Sequence, residues 1–90
     1  MDRKDILAKA EQCVCRDRQE DYGAAKYNFE RIAELWSAYQ GVEFDAFDVA
    51  MMMALCKIGR MITSKQKDDN FIDAAGYISL AGEIASDESC

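Results

Sequence analysis

The chain has 90 residues, of which half are apolar and 31% are charged, and this composition is typical of a folded domain rather than a disordered segment. A chain of this length buries only about 60 to 65% of the surface that it exposes when unfolded, so we expect one domain over residues 1–90 with a small core. The formal charge of −6 disfavours binding to DNA or RNA, because such binding needs a basic surface that displaces counterions from phosphates.

The sequence also predicts a cytoplasmic protein that does not bind membranes. The longest apolar run, Val49 to Cys56, is shorter than the roughly 20 residues that cross a bilayer. Met1 to Ala10 carries charges where a signal peptide would be apolar. The four cysteines follow no zinc-ligand spacing and no histidine accompanies them, so we expect Cys13 and Cys56 to be reduced packing residues.

Apolar periodicity predicts two helices in the first half of the chain. Asp5 to Cys15 places an apolar residue every three or four positions, which is one face of a helix. Gly23 is expected to end this region by adopting a left-handed conformation, and a second helix is expected to begin just after it. Gly41 is expected to end the second helix.

The third predicted helix is apolar on every side. Asp45 and Asp48 have the spacing of a capping box at its start. No polar side chain interrupts the run from Val49 to Cys56, and a helix of this kind must be surrounded by other helices. Three partner helices can hardly cover it in a chain this short, so we expect a homo-oligomer assembled through helix 3.

A fourth helix follows the polar connection from Thr63 to Asp68, with Asp69 or Asn70 as its expected N-cap. Gly76 and Gly82 within it suggest close approach of a neighbouring helix. The five residues 86–90 form a tail without periodicity. The predicted fold is all-α, an antiparallel four-helix bundle with up-down-up-down topology.

This topology would bring two charged segments, Arg16 to Gly23 and Lys57 to Asp73, to one end of the bundle, with Arg60 level with Asp73. The N-termini of helices 2 and 4 at that end favour anions. The same end would hold cationic donors suited to phosphate, aromatic faces for a base and carboxylates suited to Mg²⁺. The donors are Arg16, Arg18, Lys57 and Arg60, the aromatic residues are Tyr22, Tyr27 and Tyr77, and the metal candidates are Asp21, Asp69 and Asp73.

A structural explanation competes with this nucleotide site. Lys57 and Arg60 opposite Asp69 and Asp73 are also the pattern of interhelical ion pairs, which contribute only about 0 to 1 kcal/mol when partly exposed. Nucleophilic catalysis has little support, because the chain has no histidine to act as a general base and no glycine-rich phosphate loop.

An ordered set of motifs over about Ile6 to Ile84 resembles a known family. The motifs are Asp21-Tyr22-Gly23, Asn28-Phe29, Ile32-Ala33-Glu34-Leu35-Trp36, Asp48 to Met53, Lys57-Ile58-Gly59-Arg60, Asp69 to Asp73 and Gly76-Tyr77. They resemble small bacteriophage and prophage proteins of undetermined function, classed as a nucleotide-modification-associated domain. The resemblance implies a phage protein in the host bacterial cytosol, with a nucleotide-related role. The family's recurring polar positions fall here on Asp21, Tyr22, Asn28, Asp48, Lys57, Arg60, Asp73 and Tyr77. The candidate ligand-binding residues are therefore Arg16, Arg18, Asp21, Tyr22, Asn28, Lys57, Arg60, Asp73 and Tyr77.

A weaker resemblance is to the MazG-like all-α nucleoside triphosphate pyrophosphohydrolases, which are helical oligomers that use magnesium. Those enzymes carry an ExxE glutamate pair and a later ExxD. Here Glu30 and Glu34 have a different spacing, and Asp45 and Asp48 replace the second pair at the opposite end of the predicted bundle.

Three hypotheses follow. The first is a phage oligomer that binds a nucleotide or a nucleotide-derived signal, for instance to sequester a host defence messenger. The second is an Mg²⁺-dependent pyrophosphohydrolase in which Asp21, Asp69 and Asp73 hold the metal. The third is an inhibitor that binds a host protein through its acidic surface.

Overall fold

The computed structural model describes residues 1–17 and 22–88. These residues form four α-helices, α1 (Arg3–Glu11), α2 (Tyr22–Gln40), α3 (Ala46–Thr63) and α4 (Asp68–Glu88), and a π-helical segment over Gln12–Asp17 that continues α1. α3 packs against both α4 and α2, and α1 packs against α4. The predicted all-α fold of four helices that pack against one another is confirmed.

Local capping explains where three of these helices begin or end. The Asp2 side chain accepts a hydrogen bond of 2.9 Å from the Asp5 amide at the start of α1. At the start of α3 the predicted capping box is present, with Asp48 N donating to Asp45 Oδ1 at 2.8 Å and Asp45 N donating to Asp48 Oδ2 at 3.0 Å. Gly41 has a φ of 71° and ends α2, as predicted.

Three predicted boundaries are wrong. α2 begins at Tyr22, so Gly23 lies in its first turn instead of stopping the preceding helix. α4 begins at Asp68, so Asp69 and Asn70 are helical residues and not caps, and Asn70 is buried with only 7% of its surface exposed. The predicted first helix becomes π-helical at Gln12, which no 3.6-residue periodicity could indicate.

The core consists mainly of small side chains. Ile84 and Val49 are the largest side chains that the described residues bury completely. Most of the other buried residues are alanines of α3 and α4, and these small residues allow the two helices to approach closely. The buried alanines of this pair are Ala46, Ala50, Ala54, Ala74 and Ala81.

The expected environment of the cysteines is wrong, because Cys13, Cys15 and Cys56 are exposed free thiols. None of the helices in residues 1–17 and 22–88 combines the length and apolarity that a membrane span requires.

Gly76 and Gly82 give a matched test of close packing on α4. A Cβ added at Gly76 would lie 3.1 Å from Val14 Cγ1, whereas one added at Gly82 would meet no atom within 4 Å. We expect Gly82→Ala to stabilise the fold by up to about 1 kcal/mol, the usual preference of a helix for alanine over glycine. Gly76→Ala should gain less, because Val14 must move.

Urea denaturation of both variants, alone and with Val14→Ala, measures the difference. In the Val14→Ala background, Gly76→Ala should stabilise the fold about as much as Gly82→Ala does. Equal gains at both glycines in the wild-type background would contradict the close contact between the π-helical segment and α4.

Candidate functional site

Lys57 and Asp73 form an ion pair between α3 and α4. Their Nζ and Oδ2 atoms lie 3.1 Å apart, and the Lys57 side chain is only 18% exposed, against 42% for Asp73. The pair follows from the antiparallel packing of α3 on α4, since Lys57 is three residues beyond the buried Ala54 and therefore shares its helix face. The ion pair thus fixes a cation at the edge of the core.

A cleft of about 290 Å³ opens beside this ion pair, between the π-helical segment, α3 and α4. The lining combines apolar residues with the two charged groups and Tyr77. The lining residues are Cys13, Val14, Lys57, Ile72, Asp73, Gly76, Tyr77 and Leu80. We call this space the Lys57 cleft.

Tyr77 packs near an aromatic residue of α2. Its ring centroid lies 6.4 Å from that of Phe29, with the two planes tilted by 37°. Tyr77 is half-buried, so the contact with Phe29 restricts its ring while part of the side chain still lines the cleft. Aromatic pairs at this separation contribute about 0.5 to 1.5 kcal/mol beyond the area that they bury.

A second depression of about 270 Å³ adjoins the Lys57 cleft along α4. It shares Cys13, Ile72 and Asp73 with the cleft and adds polar groups from α1, the π-helical segment and the first turn of α4. The added residues are Lys9, Gln12 and Asp69. The two spaces are therefore adjacent, with Lys57 lining one and Lys9 lining the other.

The structure brings together only part of the predicted site. Lys57, Asp73 and Tyr77 line one cleft, and Asp69 lies in the adjoining depression. Arg18 and Asp21 lie outside the described residues, as do the side chains of Arg16 and Tyr22.

Two predicted ligand-binding residues lie elsewhere. Asn28 is exposed on α2 and lines neither space. Arg60 was expected level with Asp73, but the partner of Asp73 is Lys57, one helical turn earlier. The register differs because α4 begins earlier than predicted, and Arg60 is an exposed residue one turn nearer the C-terminal end of α3.

The predicted metal site includes Asp21, which lies outside the described residues. No group of three or more His, Cys, Asp or Glu side chains within residues 1–17 and 22–88 is placed to hold a metal ion. Asp73 is paired with Lys57, and Asp69 is exposed one turn away on α4. Glu30 and Glu34, the counterparts of the hydrolase carboxylates, are exposed on α2.

Sequence reasoning missed the contribution of the π-helical segment. Cys13 and Val14 line the cleft, and Val14 approaches Gly76. The sequence feature that could have indicated this contact is Gly76, because a glycine within a helix suggests close approach of a neighbouring helix. The identity of that neighbour depends on the π-helical geometry, which the sequence pattern does not indicate.

A third depression, of about 250 Å³, lies near the other end of α2 and has no charged residue in its lining. It is formed by Trp36, Tyr39, Gln40, Phe44 and Met52. Trp36 and Phe44 meet edge to face, with centroids 6.2 Å apart. This depression resembles a protein-contact surface more than a site for a charged ligand.

A family model described as a domain of unknown function (DUF6378) matches residues 5–85. Over 76 residues the chain is 51% identical to the Gene 55 protein of Mycobacterium phage L5, an alignment that covers 83% of the chain and 49% of that protein. It is 38% identical over 79 residues to the Gene 55 protein of Mycobacterium phage D29, covering 88% of the chain and 52% of that protein. The chain thus spans about half the length of these relatives. No solved structure gives a significant match.

A double-mutant cycle on Lys57 and Asp73 measures how much the ion pair stabilises the fold. Asp73→Asn should destabilise the domain by up to about 1 kcal/mol, because it leaves the Lys57 ammonium without its counter-charge. Lys57→Met keeps the apolar stem that packs at the edge of the core, so its cost should be close to zero. Urea denaturation of both single variants and of the double variant gives the coupling energy. A coupling well above 1 kcal/mol would mark the pair as chiefly structural.

Proposed function

The chain belongs to the DUF6378 family and is homologous to bacteriophage proteins, and we propose that it binds a small nucleotide in the Lys57 cleft. The observation that carries the proposal is the position of Lys57, a largely buried cation whose side chain lines a cleft together with an aromatic ring. The resemblance to a nucleotide-modification-associated domain supports the same class of ligand.

Lys57 retains hydrogen-bonding capacity for an anion. A lysine ammonium has three N–H donors, and one contact with Asp73 at 3.1 Å leaves two for another group. Asp73 holds the ammonium in place and reduces the local positive charge. A phosphate that binds here would therefore share Lys57 with Asp73, and Lys9 in the adjoining depression offers a second cation.

The net charge of the chain and the volume of the cleft favour a ligand with few phosphates. The chain carries a net charge of −6, which opposes the approach of a polyanion. The cleft volume of about 290 Å³ is just below the range of roughly 300 to 1,000 Å³ for small-molecule sites. Both properties favour a nucleoside monophosphate or a cyclic nucleotide over a triphosphate or an oligonucleotide.

Tyr77 provides a surface for the base. Stacking of a base on an aromatic side chain contributes about 1 to 3 kcal/mol and is largely independent of base identity. The contact between Tyr77 and Phe29 fixes the ring before the ligand arrives, so little side-chain entropy is lost on binding. The apolar residues that line the cleft, among them Ile72 and Leu80, would cover the base or sugar edges.

Binding without turnover is the activity that this geometry supports best. The cleft offers a cation for a phosphate and an aromatic ring for a base. Sequestration of a host nucleotide signal is one role in which a phage protein would use such binding. Mg²⁺-dependent pyrophosphate hydrolysis is the alternative, and it rests on Asp69 and Asp73 in the adjoining depression together with Asp21.

A thermal-shift screen against AMP, dTMP, cyclic AMP and ATP, each with and without Mg²⁺, tests the proposal. A ligand at 100 times its dissociation constant adds about 2.7 kcal/mol of stability, which raises the Tm of a domain of this size by several degrees. We expect this shift for a monophosphate or a cyclic nucleotide. Lys57→Met should abolish it, and Lys65→Met, which removes an exposed lysine from the connection between α3 and α4, should not.

Two outcomes would count against nucleotide binding in the cleft. One is the absence of a shift with every nucleotide at millimolar concentration, and the other is an undiminished shift in Lys57→Met. Release of pyrophosphate from ATP with Mg²⁺ would replace the binding proposal with the hydrolase alternative.

A further inference from the structure

α3 carries an exposed apolar line on the side away from the core. Met52, Leu55, Gly59 and Ile62 follow one another at intervals of three, four and three residues, which is the spacing of a helix–helix seam. Their side chains are accessible, with Met52 37%, Leu55 59% and Ile62 74% exposed. Met52 also lines the depression that Trp36 and Phe44 form, so α2 lies beside this end of the line, whereas Leu55 and Ile62 are mostly exposed. We call the line the α3 seam.

The surface of the chain is larger than that of a compact monomer. A monomer of 10.1 kDa is expected to expose about 5,300 Å². This chain exposes 6563 Å², an excess of roughly 1,300 Å² over that scaling. One partner in a standard protein interface buries about 800 Å², so burial of a single interface would remove much of the excess.

We propose that a second copy of the chain covers the α3 seam, with the two α3 helices antiparallel about a two-fold axis. In that register Leu55 of each copy faces Gly59 of the other, and Met52 faces Ile62. A Cβ built at Gly59 meets no atom within 4 Å, so the glycine leaves an open recess on the surface of α3. Leu55 from the second copy fills this recess, which allows the helices to approach closely. A parallel arrangement would instead place glycine against glycine and leave a void.

The charge distribution of α3 favours the same orientation. Asp45 and Asp48 lie at its N-terminal end, while Arg60, Lys65 and Lys67 lie at or just beyond its C-terminal end and outnumber Asp68 and Asp69, which follow at the start of α4. An antiparallel arrangement brings the acidic end of each helix beside the basic end of the other. It also places the positive end of each helix dipole beside the negative end of the other, which is favourable. A parallel pair would bring like charges together. The α3 seam is therefore complementary to itself in volume and in charge, as a two-fold interface requires.

The interface and the Lys57 cleft lie on different sides of α3. Lys57 is two residues from both Leu55 and Gly59, which on a helix turns its side chain far from the α3 seam and toward α4. The dimer thus leaves the cleft open, and the inference does not depend on the proposed ligand.

Molar mass in solution tests the dimer. Sedimentation equilibrium of the wild-type chain should give twice the 10.1 kDa of one copy. Leu55→Glu should weaken self-association at least a hundredfold and give a monomer with unchanged helical circular dichroism, since Leu55 is 59% exposed within one copy. Leu7→Glu on α1 is the matched control, because Leu7 is 64% exposed but lies off the α3 seam, and it should remain dimeric.

Gly59→Leu tests the recess specifically. The monomer has room for the new side chain, so the fold should be retained, but the filled recess should weaken dimerisation at least tenfold. Disulfide crosslinking tests whether the two helices are antiparallel. The native cysteines are changed to serine, and chains that carry only Leu55→Cys are mixed with chains that carry only Gly59→Cys. Disulfide formation should be fastest between the two different chains.

Three results would overturn the proposal. The first is a wild-type chain that remains a monomer at millimolar concentration, and the second is an oligomer unaffected by Leu55→Glu and Gly59→Leu. The third is preferential crosslinking of Leu55→Cys chains with one another, which would rule out the antiparallel register.

Discussion

The close packing of α3 on α4 through small side chains is the constraint on which the rest of the structure depends. Alanines on both helices occupy the interface, and only two large side chains of the described residues are completely buried. Interhelical distance follows the size of the contacting side chains, so an alanine-rich interface keeps the two backbones near each other. This proximity places Lys57 Nζ 3.1 Å from Asp73 Oδ2 and creates the edge along which the cleft opens.

The small size of the core also explains the exposed apolar surface. An interface of alanines covers only part of α3, and the opposite side retains large apolar residues such as Leu55 and Ile62 in contact with solvent. α3 therefore has two different faces. One packs on α4 and carries Lys57, and the other carries the α3 seam that we assign to a second copy. The proposed ligand site and the proposed dimer interface therefore use different residues of one helix.

Much of the fold is predictable from the sequence because local signals determine it. The capping box at Asp45 and Asp48 and the left-handed Gly41 were both identified from residue type and position, and both are present. Helical periodicity likewise indicated all four helices. The phage relationship implied by the ordered motifs is confirmed by the two Gene 55 proteins.

The candidate site was less predictable because it depends on register. Lys57, Asp73 and Tyr77 were predicted and lie together, but the expected proximity of Arg60 and Asp73 failed by one helical turn. The π-helical segment changes the direction in which Cys13 and Val14 project, and no apolar pattern encodes that change. A small error in the predicted start of α4 is enough to pair Asp73 with Arg60 instead of Lys57.

The most direct test of the account is a map of amide chemical-shift changes when AMP or cyclic AMP is added to the isotopically labelled chain. The changes should be concentrated at residues that line the Lys57 cleft, including Val14, Lys57 and Tyr77, with little change at Leu55 and Gly59 on the α3 seam. Changes centred on the Trp36 and Phe44 depression, or no changes at millimolar nucleotide, would contradict it.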